Sequence, residues 1–470
     1  MDVYRSLQQG KTMPYDAIWT ANHLWIELGD KQKVVSHKKS IFRSPVVLGV
    51  KKSIAQQLGW DKRDITIQDI LTATEQHKFR LAMTSATQSN SGASAYLGFL
   101  YAMAGYPDTL MQADLQNPTV QDKIKRLLAA TDRSAGSSGW LKDVSVQYPE
   151  RFEAMFNYEA LLLDANRQLI AKGQELFYVI YPQNGLSVAD SPLGLIDKGD
   201  KTKEALFLQL QQYLLSPDVQ QRIANRGRRT GLLGLSLNHP DLSVWNPDWG
   251  IKTEITAAPI PTPKAEVLAK ALQLYQTTLR KPSLTIWVLD ISGSMAGKGI
   301  TQLQQAMTTL LDPAQAEPYL LQTGDKDITW VIPFNHSVVD AWQVEGNDES
   351  HLLELSATIN QLEANGGTDM YAALLTALDK LQPYAANHTL ENYLPVIVVM
   401  TDGRSDENNR GLFQQTLQKT DFARNVPIHS IAFGDADPQQ LQDLTKESIG
   451  RLFTVQDDLP SVLRDVKGYN

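Results

Sequence analysis

The chain has 470 residues, no cysteine and a net charge of −8, with 42% hydrophobic and 20% charged residues. That length exceeds one ordinary core and points to two or three domains of globular composition. The acidic balance argues against a general nucleic-acid binder, the missing thiols exclude disulfides and thiolate metal sites, and no apolar run reaches the ~20 residues of a membrane-spanning helix.

The first residues, MDVYRSLQQGKTMPYDAIW, lack the apolar centre of a signal peptide, so the expectation is a cytoplasmic chain or one numbered from a late start. Residues 1 to about 232 then mix short apolar runs, SPVVLGV (44–50) and LFYVIYP (176–182), with helical patterns such as ASAYLGFLYAMAG (93–105). The basic cluster Arg226-Gly227-Arg228-Arg229 reads as a solvated face. Residues 233–264 carry NHPDLSVWNPDWG and AAPIPTPKA; proline fixes φ and removes donors, so an extended connector is expected there. A helix with apolar Val267, Leu268, Ala271, Leu272 and Tyr275 follows over 263–280. From 283 onward, strand-like runs at 284–289, 328–334, 394–400, 428–433 and, more weakly, 451–455 alternate with helical patterns near 299–311, 349–363, 370–382, 409–420 and 438–446. The alternation predicts a mostly parallel sheet covered on both faces, with the wholly apolar LTIWVL and LPVIVVM as central strands.

LTIWVL runs straight into Asp290-Ile291-Ser292-Gly293-Ser294. Ligands of open α/β sheets bind at the carboxyl ends of the strands, and alternate loop residues can aim to one side. Asp290, Ser292 and Ser294 then offer a carboxylate and two hydroxyls. The loop NGGTDM (365–370) adds Thr368 and Asp369, and LPVIVVM ends in Thr401-Asp402-Gly403. Such hard oxygen donors, with few negative charges among them, suit Mg²⁺ and leave it open to an outside carboxylate. In these residues and their order, 283–470 resembles the von Willebrand factor A domain family and its metal-ion-dependent adhesion site. The family's Asp-x-Ser-x-Ser is met by Asp290, Ser292 and Ser294, its distant Thr by Thr368 and its distant Asp by Asp402. The resemblance implies a doubly wound domain that binds Mg²⁺ or Mn²⁺ and offers it to a Glu or Asp of a protein partner. No histidine lies in the three loops, and neither G-x-S-x-G nor H-E-x-x-H occurs, so no catalytic constellation is expected. His336 reads as a satisfied edge residue and Asp402–Glu407 as the rim of the same site.

In the first half, TSATQSNSGASAYLGFLYAMAG (84–105) leads serines and a glycine into a helix. Free backbone N–H groups there would make an anion or polar-ligand site, while an ordinary N-cap uses the same residues. With YDAIWTANHLWI (15–26), SPVVLGVKKSIAQQLGW (44–60), YVIYPQNGLSVADSPLGLI (178–196) and LLSPDVQQRIANRGRRTG (214–231), it resembles the type 2 periplasmic solute-binding proteins of bacterial transport systems. The resemblance implies a two-lobed α/β domain over 1–232, with lobe one at 1–48 and 186–232 and lobe two at 49–182. Residues 44–50 and 178–185 would cross between the lobes. Ser85, Ser89, Ser91 and Gly92, with Tyr158 and Tyr181, would line a cleft for a small polar solute or anion. Trp19, Trp25 and Trp60 read as packing residues. The family carries about 40 further residues ahead of the YDAIW equivalent, an estimate from α/β unit sizes, so an exposed sheet edge is expected. With an A-type domain at 265–470, the whole reads as a non-enzymatic bacterial binding or adhesion protein of the periplasm or cell surface. The alternative is a cytoplasmic partner subunit of a separate ATPase or chaperone machine; the chain itself has no G-x₄-G-K-[ST] loop.

Overall fold

The computed structural model describes residues 2–230, 235–237, 240–433, 436–455 and 459–469; the expected junction at 232/233 lies outside them. The chain divides into two compact units, residues 1–131 with 135–275 and residues 132–134 with 276–470.

The first unit contains β1 (Ala17–Trp19), β2 (Val35–Ser40), β3 (Ser44–Lys51), β4 (Leu81–Thr84), β5 (Thr131–Ala135), β6 (Ala154–Tyr158), β7 (Phe177–Ile180), β8 (Ser187–Ala189) and β9 (Pro192–Ile196). A small sheet has the order β1-β9-β2, antiparallel throughout, so β1 is paired on one side. Period-2 alternation lets its strands serve two cores. Leu193 and Leu195 meet Ile41 and Phe207 of the helix Lys201–Leu214, while Ile196 joins Leu7, Ile18, Ile26 and Val35. The larger sheet runs β5-β4-β6-β3-β7, with β8 also on β3. β3 is buried along its whole length and pairs β7 over Leu48–Lys51 and β8 over Ser44–Val46, so it and strands β7 and β8 lie side by side in this larger sheet.

Arg229 departs from the solvated face expected of its basic run. It is 1% exposed and forms an ion pair with the fully buried Glu159, whose other oxygen partner is the hydroxyl of Tyr181. Arg229 also donates to the carbonyls of Leu235 and Lys252 and lies over the Trp245 ring. Nothing local in the sequence announces a partner 70 residues away.

The second unit holds β10 (Ser283–Asp290), β11 (Ile328–Phe334), β12 (Trp342–Glu345), β13 (Leu394–Thr401), β14 (Ile428–Ala432) and β15 (Leu452–Thr454), in the order β12-β11-β10-β13-β14-β15. All neighbouring pairs are parallel except β11–β12. This is the doubly wound, mostly parallel sheet expected, with β10 and β13 central. Its core joins Ile286, Val288, Ile397 and Val399 to Leu374, Ala377, Leu378 and Leu381 of the helix Met370–Ala386. The antiparallel edge β12 was not foreseen: its residues alternate between half-buried and exposed, so no apolar run marks it. The helix expected over 263–280 is an α-helix at Ala265–Leu274 followed by one π turn at Tyr275–Leu279.

Candidate metal centre and serine cluster

β10 delivers Asp290, fully buried, to the carboxyl end of the second sheet. Its Oδ1 accepts from the backbone N–H of Ser292 (2.8 Å), and its Oδ2 accepts from the hydroxyl of Thr401, the last residue of the adjacent β13. The Ser292 hydroxyl lies 3.1 Å from that of Ser294, and Ser294 donates to Asp402 Oδ1 at 2.8 Å. The loop bearing Thr368 is zipped to the first loop by Gly293 N–H to Gly366 O (3.0 Å) and Asn365 N–H to Ile291 O (2.9 Å). Gly366 has φ +78°, and a Cβ there would fall 2.9 Å from the His336 ring, so only glycine suits this turn. A Cβ on Gly403 would stand 3.2 Å from the Ser294 hydroxyl and 3.9 Å from that of Thr368. Asp290, Ser292, Ser294, Thr368 and Asp402 therefore converge from three loops, with Ser292 buried, Thr368 and Asp402 half-buried and Ser294 exposed.

Asp369 is held apart from this group. Its carboxylate caps the helix Met370–Ala386 by accepting from Ala372 N–H (3.0 Å), and it accepts from the Asn409 amide at 2.6 Å. Thr401 had been noted only as part of the strand end; its role as a donor to Asp290 follows from the β10–β13 pairing.

Burial pushes the Asp290 carboxyl above its ordinary value, and Asp402's charge adds to this, while the bonds from Thr401 and Ser292 pull the other way. Among the described residues no three acids or histidines gather as a metal site. The Asp290 centre is a different donor set, two carboxylates and three hydroxyls. An oxygen-only set around a buried carboxylate fits a hard divalent cation.

In the first unit the serine cluster sits where β4 meets the helix Asn90–Met103. Ser91 hydrogen-bonds with Thr84 (2.7 Å) and Ser138 (2.7 Å), and Ser89 with Ser138 (2.9 Å). Ser85 lies against Thr87 at 3.1 Å. Gly92 is pressed on the strand: a Cβ there would stand 2.2 Å from Thr84 O and 2.6 Å from Ser85 O. Tyr158 is linked through Asn90, whose amide donates to its hydroxyl at 2.8 Å; burial pushes that phenol up to about 12. Tyr181 belongs instead to the Glu159–Arg229 pair. Sequence reading passed over Ser138 and Thr84. The stretch SSGW (137–140), a second serine-rich helix start, was the available signal. Of the three tryptophans, Trp25 and Trp60 are buried, whereas Trp19 is 47% exposed.

Comparison with known families follows this division. Residues 286–465 match the von Willebrand factor type A domain, and residues 1–229 match the bacterial extracellular solute-binding protein family. The chain thus joins a solute-binding domain to a von Willebrand factor type A domain. Among curated proteins it is 29% identical over 185 residues to the inter-alpha-trypsin inhibitor heavy chain H2 of Mus musculus, covering 37% of this chain and 18% of that one. It is 26% identical over 195 residues to heavy chain H6 of Homo sapiens, covering 38% and 14%. It therefore spans less than a fifth of these relatives' length. Among solved structures, the periplasmic binding protein AfuA of Actinobacillus pleuropneumoniae, with fructose-6-phosphate bound, aligns with a TM-score of 0.41 at 9% identity, over 58% of this chain and 86% of that one. The mussel byssus proximal thread matrix protein 1, with a zinc-occupied MIDAS motif, aligns with a TM-score of 0.31 at 18% identity, over 44% and 52%. No helix among the described residues is long and apolar enough to cross a membrane.

Proposed function

We propose that this is a non-enzymatic recognition protein acting outside the cytoplasmic membrane. Its A-type domain, taken as 265–470, would bind a protein partner through a divalent cation, Mg²⁺ or Mn²⁺. Its solute-binding domain, taken as 1–232 with a connector at 233–264, would hold a small polar solute or anion at the serine cluster. The observation that carries the first part is Asp290, a fully buried carboxylate held by the Ser292 N–H and the Thr401 hydroxyl, with oxygens of two further loops converging on it. Asp290, Ser292, Ser294, Thr368 and Asp402 would hold the cation. A cation there supplies an electrophilic position for an incoming Glu or Asp. The chain's own part is orientation. Thr401 and the Ser292 N–H fix the Asp290 oxygens, and Asp406 N–H to Thr368 O (2.8 Å) fixes the third loop. Ser294 and Thr368 stand at the open side, where an outside carboxylate would arrive.

The test is a titration with Mn²⁺ followed by electron paramagnetic resonance. One Mn²⁺ per chain is expected in the wild type, displaced by Mg²⁺ and lost in Asp290→Asn and Asp402→Asn. A wild type that takes up no Mn²⁺ at millimolar concentration, or variants that still take it up, would refute the assignment.

A further inference from the structure

The stretch that follows the two lobes in the chain does more than connect. Between Trp245 and Tyr275 it bonds in turn to both lobes of the first unit. Trp249 and Gly250 pack on β7, so closely that a Cβ on Gly250 would stand 2.4 Å from Val179 O. Lys252 pairs with Asp64 at 2.6 Å, and Tyr106 of lobe two donates its hydroxyl to Ala258 O at 2.8 Å. At the crossing between the lobes, Ile260 N–H donates to Leu186 O (2.9 Å). Two residues on, the Thr262 hydroxyl meets His23 Nε2 of lobe one at 2.7 Å, while His23 Nδ1 faces Asp190 at 3.0 Å. The helix Ala265–Leu274 then packs against the lobe-one helix Leu24–Gly29, and its Ala271 carbonyl accepts from Tyr96 of lobe two at 3.0 Å. Leu268, Ala271 and Leu272 of this helix are buried.

The lobes also touch directly. The Trp25 indole N–H of lobe one donates to Asn90 Oδ1 at 2.8 Å, and Asn90 is the first residue of the helix that carries the serine cluster. Within the cluster the hydroxyls of Thr84, Ser89, Ser91 and Ser138 bond to one another, and the first three are buried.

We infer that residues 245–275 form a strap that holds the two lobes shut over the serine cluster, so that a solute reaches the cluster only when the strap lets go. Opening the lobes needs relative movement of His23 against Tyr96 and Tyr106, and one continuous segment grips all three. The hydroxyls satisfy one another in the closed form, so closure needs no solute in place. The part concerning access rests on the reading of the cluster as a solute site; the closure does not.

The test measures the lobes alone. The chain has no cysteine, so Lys31→Cys in lobe one and Lys125→Cys in lobe two, both exposed, give a clean pair of spin labels. Pulsed dipolar spectroscopy on the whole chain, without solute, should give one narrow distance. Adding Tyr96→Phe, Tyr106→Phe and Thr262→Val, which remove three of the strap's hydroxyl bonds, should bring in a second, longer distance. Leu268→Lys is the stronger variant: it puts a charge on the strap helix and leaves every residue of both lobes unchanged. Two distances in the otherwise unaltered strap would overturn the inference, as would a single unchanged distance in Leu268→Lys with far-ultraviolet dichroism intact. No solute is added, so the result is separate from whether the cluster binds one.

Discussion

The buried charge of Asp290 makes a prediction in which the order of two proteins reverses with metal. Asp290 is 0% exposed, and burial is the largest influence on its carboxyl. Asp290→Asn keeps the shape and still offers an oxygen to the Ser292 N–H, while removing a charge that burial penalises. In EDTA the variant should therefore unfold at or above the wild-type temperature. With Mg²⁺ at about 100 times its Kd, the wild type gains about 2.7 kcal/mol. For a domain the size of the second unit this is about 5–11 °C in Tm, at 2–4 °C per kcal/mol. The variant should gain nothing, so the order reverses. Differential scanning calorimetry of both proteins in EDTA and in millimolar Mg²⁺ or Mn²⁺ reads this directly. A wild type indifferent to either ion, or a variant several degrees below it in EDTA, would show that Asp290 is held by the fold for some other reason than a cation.

Three further outcomes follow from buried groups. Arg229→Met strands the Glu159 carboxylate in the core, which costs about 3–5 kcal/mol; the double variant with Glu159→Gln should recover most of that in urea unfolding, and a single-variant loss no larger than the about 1 kcal/mol of an exposed pair would refute it. His429, fully buried, with Nδ1 accepting from Arg451 N–H and Nε2 facing Tyr469 O, is pushed down to about 3 by burial, whereas the Asp190 bond raises His23 above its ordinary value. The unfolded chain takes up a proton below pH ~6.5 that folded His429 refuses, so its effect weakens the second unit as pH falls from there toward 3; His23 stabilises the first unit below pH ~6.5 and loses that effect as pH rises through its folded value. Imidazole resonances should show His429 not titrating down to pH 4 and His23 titrating late, and two ordinary midpoints would contradict both environments. Gly92→Ala puts a methyl 2.2 Å from a backbone carbonyl that cannot rotate away, so overpacking should cost the first unit at least about 1–3 kcal/mol, and an unchanged Tm would show that the helix and β4 are less closely held.

How much of this was legible depended on how local the cause was. The strands of the second unit and the loops after them could be read because each is one apolar run followed by chemistry within a few residues. Asp369 shows the limit: beside Thr368 it was an equally good oxygen donor on paper, and only the helix after it and Asn409, 40 residues on, take its carboxylate away. Thr401 needed the β10–β13 register before its hydroxyl could be placed on Asp290. In the first unit the serines were visible but their partner Ser138, 47 residues away, was not, because two separate helix starts have to be folded face to face. The prolines of the connector predicted an extended chain, whereas its described part includes a 3-10 helix at Pro247–Trp249. Its grip on both lobes comes from scattered single contacts, such as Thr262 on His23, 239 residues apart, which have no sequence period.

The two candidate sites differ in one physical respect that bears on how each could be used. At the candidate metal centre Asp290 is buried, while Ser294 is exposed and Thr368 half-buried, which is the side on which the proposed partner carboxylate would arrive. At the serine cluster Ser89 and Ser91 are buried and Ser138 is half-buried, and Trp25 donates to Asn90 at the head of the same helix. On the proposed readings the first would suit a partner that docks and the second a ligand that must be let in. The stretch that decides the letting in, residues 245–275, is also the stretch through which the chain passes into β10 and on to Asp290. If the strap releases when a solute enters, the segment set free is the one covalently continuous with the strand that carries the metal centre. Calorimetric Mg²⁺ affinity of the Leu268→Lys protein, whose change lies outside both sites, therefore asks whether the two are coupled. An affinity shifted several-fold from the wild type would mean that they are, and an equal affinity would mean that the strap gates the first unit alone.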